Sequence, residues 1–150
     1  RRHTSFKCDG VQTCALPICL GKLRHGGARQ AIVDLLDTAA DGLVTISALK
    51  TLAEIGGEVV PDLVKKSLGH PDEEVVKVAI DILSSQGDDW LDEYLEKLLA
   101  HPHWDVRRSI IKVMVAGRGA EAIPYLRSAL DSEKDDLVRE QILDIMDRYR

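Results

Sequence analysis

His70-Pro71-Asp72-Glu73-Glu74-Val75-Val76-Lys77 and His101-Pro102-His103-Trp104-Asp105-Val106-Arg107-Arg108 read as two copies of one segment, 31 residues apart. A fixed offset of this size marks a repeat architecture, and it continues outward from the two segments. Val44, Val75 and Val106 correspond, as do Ala48, Ala79 and Ile110, then Leu49, Ile80 and Ile111, then Leu52, Leu83 and Met114. One further residue of offset carries this ladder to Val138, Ile142, Leu143 and Met146. A second ladder runs through Val64, Leu95 and Leu126, then Leu68, Leu99 and Leu130. Both have the i, i+3/i+4 spacing of amphipathic helices, and the period-two alternation of strands is absent. Each unit therefore holds a first and a second helix.

The spacing predicts helices over 28–39, 43–55, 59–68, 73–85, 89–99, 104–116, 120–130 and 135–148. Gly56-Gly57, Gly87 and Gly117/Gly119 fall where first helices must stop, because glycine takes the left-handed cap conformation without a steric cost. Asp72 is placed to cap the following first helix, and Ser132 with Asp135 has the form of a capping box. One such unit cannot bury its apolar face alone. Stacked neighbours make a continuous core, and stability becomes a sum of nearest-neighbour interfaces.

Asp105-Val106-Arg107, Leu137-Val138-Arg139 and the helix opening Ala122-Ile123-Pro124-Tyr125-Leu126, repeated one register off at Val60-Pro61-Asp62-Leu63, resemble the HEAT family. The likeness is to the short-repeat kind found in bacterial proteins and in phycobilin lyase subunits, and it covers residues 20–150. It implies an all-α, right-handed solenoid of about four stacked antiparallel helix pairs, first helices convex and second helices lining a concave face. Leu20 to Leu23, followed by Gly26-Gly27, has the form of the tail of an earlier first helix, so a fragment of a longer array is expected.

Residues 1–19 read differently. Cys8, Cys14 and Cys19 are the chain's three cysteines, an odd number without a C-x-x-C knuckle, so an adapter-derived tail is expected here ahead of the alternatives, a zinc loop or a native disordered tail. Val11 to Ile18, V-Q-T-C-A-L-P-I, matches one reading frame of a common short-read sequencing adapter, and Arg1-Arg2-His3-Thr4 resembles its outer part. An adapter-derived tail is excluded from fold reasoning like any processing scar. It is expected to have no tertiary role.

Composition excludes several functions. No apolar run approaches the roughly 18 residues of a membrane span, and a cytoplasmic location is expected. A net charge of −5 disfavours nucleic acid as partner, since phosphate neutralisation needs clustered Lys and Arg. On the second helices Arg29, Lys65, Lys66, Lys97 and Arg127 are outnumbered by Asp34, Asp37, Asp62, Asp92, Glu93, Glu96 and Glu121. That is a poor phosphate trough, unlike the basic cleft of the alkylpurine DNA glycosylases of related helical-repeat fold. Deoxyhypusine hydroxylases, which resemble these repeats, hold di-iron with His-Glu dipeptides, and this chain has none.

His101, His103 and Trp104 form the most conspicuous cluster, but a metal site needs three or four ligands. An inter-repeat turn, shared with His70, is the expected role. The resemblance to HEAT repeats implies that Asp105 and Arg107 make ladders between adjacent repeats. Gly117-Arg118-Gly119 follows no strand and is a turn rather than a nucleotide fingerprint. No catalytic set, cofactor site or metal site emerges. The leading expectation is a non-enzymatic scaffold that binds a protein or peptide on its concave face through Lys65, Lys66, Tyr94, Glu96, Lys97, Tyr125 and Arg127. The alternative is a cofactor-handling subunit resembling the phycobilin lyases, although no residue identifies a bilin pocket. Trp90, Tyr94 and Tyr125 open second helices, where aromatic groups serve either core or interface.

Overall fold

Asp72 and Asp135 stop the chain in an extended conformation and start a helix, and this punctuation sets the architecture. The computed structural model describes residues 28–38, 41–56, 60–87 and 89–150. Among them the chain runs through α1 (Ala28–Thr38), α2 (Gly42–Ile55), α3 (Val60–Ser67), α4 (Glu73–Ser84), α5 (Leu91–Leu99) and α6 (Trp104–Arg118). A 3-10 turn (Gly119–Ala122), α7 (Ile123–Ser132) and α8 (Asp136–Arg148) complete it. No strand occurs among the described residues, so the all-α helical-repeat architecture holds. The tail of residues 1–19 with its cysteines, the stretch Leu20–Leu23, Gly26, Gly27, Gly57 and the Arg29 side chain lie outside the described residues.

Three local expectations are corrected. Helix α6 runs through Gly117 and stops at Gly119, whose φ of +54° lies in the left-handed region that favours glycine. The segment 119–122 winds as a 3-10 turn, and α7 proper begins at Ile123, with Pro124 in the first turn where its missing N–H has no intrahelical partner. Ser132 belongs to the end of α7 and donates its hydroxyl to the Ala129 carbonyl. Asp135 caps α8 alone, accepting the N–H groups of Leu137 and Val138 at 3.0 and 3.2 Å.

The chain divides into two compact units, Arg1–Val64 and Lys65–Arg150. In the first, α1 packs on α2, and Ile32, Ala48, Leu49 and Leu52 are buried. In the second, α6 is the hub: it packs against α4, α5, the 3-10 turn and α8, while α7 packs on α8. Its buried stripe is Val106, Ile110, Ile111 and Met114, the ladder read from the spacing. Val75, Ala79, Ile80 and Leu83 of α4 and Leu91, Leu95 and Leu98 of α5 are buried likewise.

The second ladder holds at Val64, Leu68, Leu95 and Leu126, whereas Leu99 and Leu130 are only half-buried. Leu98 takes the buried place in α5. In α8 the core stripe is Val138, Ile142 and Ile145, a regular i, i+4, i+7 face. Leu143, expected in the core, points aside and is 49% exposed, with Met146 half-buried.

Candidate functional site

Burial on one face of each second helix dictates what the other face offers. Helix α5 buries Leu91, Leu95 and Leu98, which leaves Asp92, Glu93, Glu96 and Lys97 exposed and Tyr94 half-buried. Helix α7 buries Leu126 and exposes Pro124, Tyr125, Arg127 and Ser128. At the end of α3, Lys66 is exposed and Lys65 half-buried. The 31-residue offset sorts these side chains into rows. Lys65, Glu96 and Arg127 occupy equivalent positions with alternating charge. Lys66, Lys97 and Ser128 form a second row, and Tyr94 precedes Tyr125. All seven candidate residues thus lie in the second unit on equivalent helices. Trp90 does not join them: it is buried, and its indole N–H donates to the Gly87 carbonyl at 3.0 Å.

Two candidates carry structural duties as well. A β-carbon placed on Gly69 would lie 3.6 Å from the Lys97 ammonium and 3.7 Å from the Lys66 carbonyl. Lys97 therefore sits by the turn after α3, where the last carbonyls of a helix favour a cation. Tyr125 is 43% exposed and lies beneath the Arg118 guanidinium, 5.2 Å from its ring centroid. The Arg118 side chain is 15% exposed and pairs with Asp92. Arg118 thus ties the opening of α5 to the opening of α7, with the cation held over an aromatic face. An open cleft of about 600 Å³ lies beside it, lined by Asp89, Asp92, Gly117, Arg118, Glu121 and Tyr125. In the sequence Arg118 has only a place in a turn, because no equivalent position repeats it.

The His-x-His cluster is a turn. His101 Nδ1 accepts the His103 N–H at 3.1 Å, as His70 Nδ1 accepts that of Asp72 at 3.0 Å. In the third such turn Glu133 takes the histidine's place, and its Oε1 accepts the Asp135 N–H at 2.9 Å. The imidazole lone pair of His101 is spent on the backbone, and burial lowers the pKa of its ring. His103 stacks on Trp104, and its Nε2 lies 3.5 Å from Glu73. Among the described residues, no three His, Cys, Asp or Glu side chains gather to hold a metal.

Asp105 and Arg107 form the expected ladders. Asp105 pairs with Lys77 of α4, which also reaches Glu74 at 2.8 Å. The hydrogen bond from Lys77 holds the Asp105 carboxyl below its usual range, and Asp105 raises Lys77 in turn. Arg107 grips Glu133 through two nitrogens, each at 2.7 Å, and donates a third group to the carbonyls of His101 and Pro102. The Arg107 bond is also the leading cause that lowers the Glu133 pKa.

Among the described residues no helix is long and apolar enough to cross a membrane. A family model described as HEAT repeats matches residues 60–146. No curated protein matches the chain.

Proposed function

The chain belongs to the HEAT-repeat family, and from that premise we propose that it is a non-enzymatic scaffold whose second helices form a concave face for a protein or peptide. HEAT repeats generally mediate contacts between proteins and are generally non-catalytic. The observation that carries the reading is the recurrence of exposed side chains at the repeat spacing on α3, α5 and α7. Lys65, Glu96 and Arg127 alternate in charge along it, which suits a partner of complementary, mixed charge rather than a polyanion. Tyr125, half-exposed and steadied by Arg118, supplies an aromatic anchor of the type that dominates binding energy at interfaces.

The test is a titration against an array of mixed-charge peptides. Replacing Lys65, Lys66 and Lys97 together by Glu should weaken the peptides that bind wild type by about tenfold or more. Reversing Lys50, Asp81 and Lys112, exposed on first helices, should leave them unchanged. Equal losses from both sets, or a loss from the second set alone, reject the concave-face reading. Tight, salt-sensitive binding of duplex DNA rejects the protein-scaffold reading itself.

A further inference from the structure

Among the described residues, three turns that carry the chain from a second helix into the next first helix are closed by the same bond. His70 Nδ1 accepts the Asp72 N–H at 3.0 Å, His101 Nδ1 accepts the His103 N–H at 3.1 Å, and Glu133 Oε1 accepts the Asp135 N–H at 2.9 Å. The acceptors are equivalent in place and differ in chemistry. An ionised carboxylate accepts through either oxygen and stays an acceptor in mild acid, whereas a neutral imidazole has a single acceptor nitrogen. Because Nδ1 accepts here, the ring proton of His101 sits on Nε2. A second proton can go only to Nδ1, and both nitrogens of the imidazolium are donors.

The His101 turn has the least in reserve. In the other two, the residue that donates the N–H is Asp72 or Asp135, and its carboxylate also caps the following helix. His103 makes no side-chain cap bond to α6. Arg107 helps to hold the turn, donating to the carbonyls of His101 and Pro102. We propose that this turn is an acid-released latch: a proton taken from solvent onto His101 Nδ1 turns the acceptor into a donor, expels the His103 N–H and loosens the start of α6.

The charges around the ring set the balance. Arg107 of α6, with Glu133 and Lys134 of the turn before α8, lines the same cleft of about 450 Å³ as His101, to which α5 brings Leu99. Glu133 is committed to Arg107 and to two backbone N–H groups. Glu73, at the start of α4, favours a cation but lies 3.5 Å from His103 Nε2. Burial, then the nearness of His103 and Arg107, lowers the pKa of the His101 ring against the pull of Glu73. A folded value below the unfolded one means that His101 contributes stability fully present above the unfolded value, about 6.5, and lost as pH falls through the folded value.

Amide hydrogen exchange of the whole chain, corrected for the intrinsic rate at each pH, reads the latch directly. Between about pH 7.5 and about pH 5 the protection of the His103 amide should fall about threefold to tenfold, while that of Asp135, held by Glu133, should not change. His101→Asn keeps an acceptor for the N–H two residues on and cannot titrate, so it should leave the His103 amide equally protected at both pH values. In urea unfolding, the stability of that variant relative to wild type should rise by the same factor on acidification. A His103 amide whose protection stays constant, or falls no further than that of Asp135, overturns the proposal. So does a His101→Asn chain with the pH dependence of wild type, or a proton on His101 Nδ1 in the imidazole nitrogen spectrum at neutral pH.

Discussion

Where α6 meets α4, Lys77 reaches Asp105; where α6 meets the turn before α8, Arg107 grips Glu133. The first pair joins two side chains each about a quarter exposed, through a flexible ammonium that is shared with Glu74. The second is bidentate, with Arg107 14% and Glu133 6% exposed, and the same two side chains also satisfy two carbonyls and two backbone N–H groups. A shared ammonium in contact with water gains little, because solvent screens it and the side chain loses rotamer freedom. A buried guanidinium–carboxylate fork leaves several unpaired polar groups behind when one partner is removed. The two seams therefore differ in what their loss costs more than in what their presence contributes.

The apolar packing under both seams sets the largest effect. Leu83 of α4 and Leu95 of α5 are each 2% exposed, and both helices pack against α6. Truncating either to Ala should cost roughly 2–5 kcal/mol in denaturant unfolding, the usual cost of a buried leucine with its cavity. Losses below about 1 kcal/mol at both sites would mean that polar seams, not packing, join the repeats.

Glu133→Ala comes next, at about 2–3 kcal/mol, since it strands Arg107 and the N–H groups of Lys134 and Asp135. Asp105→Ala should cost less than about 1 kcal/mol. Equal losses in urea titrations of the two variants would erase the distinction between the seams.

That distinction was only half legible in the sequence. Periodicity compares like with like, so it located the helices and the His70 and His101 turns, and the likeness to HEAT repeats marked Asp105 and Arg107 as ladder residues. It could not pair them, because a partner sits at a different register: Lys77 is 28 residues from Asp105, and Glu133 is 26 from Arg107. Glu133 was further hidden by standing where the other turns have histidine. Arg118 has no repeated counterpart, and Leu143 shared the apolar spacing without the burial. Of the candidate face, the exposed identities were legible and the Arg118 support of Tyr125 was not.

Acid offers a graded test of the same pair of seams. Glu133 and Asp105 both have folded pKa values below their ordinary ones, chiefly through Arg107 and Lys77. The sign follows from linkage: each contributes stability that is fully present above its unfolded value and is lost as pH falls through its lower folded value. The thermal-midpoint difference between wild type and Glu133→Gln should therefore hold near neutrality and shrink below about pH 4. A difference that grows on acidification contradicts the assignment of the ionised carboxylate to the seam.

The smallest expected effect is a gain, at the turn that joins the two seams. Asp41, Asp72 and Asp135 each cap a first helix through the side chain, accepting from Leu43, Glu74 and Leu137 at 2.8, 2.9 and 3.0 Å. His103 occupies the same place before α6 and makes no side-chain cap bond, and its Nδ1 is buried without a partner. His103→Asp should restore a cap bond worth about 1 kcal/mol. Against it stand the loss of the stacking on Trp104 and the approach of a new carboxylate to Glu73, now 3.5 Å from His103 Nε2. The net gain should be about 0.5 kcal/mol, rising when Glu73→Gln removes the opposing charge. Chemical denaturation of the single and double variants reads both values. No gain in the double variant would show that the N-terminus of α6 is already satisfied, and that His103 is there for packing on Trp104.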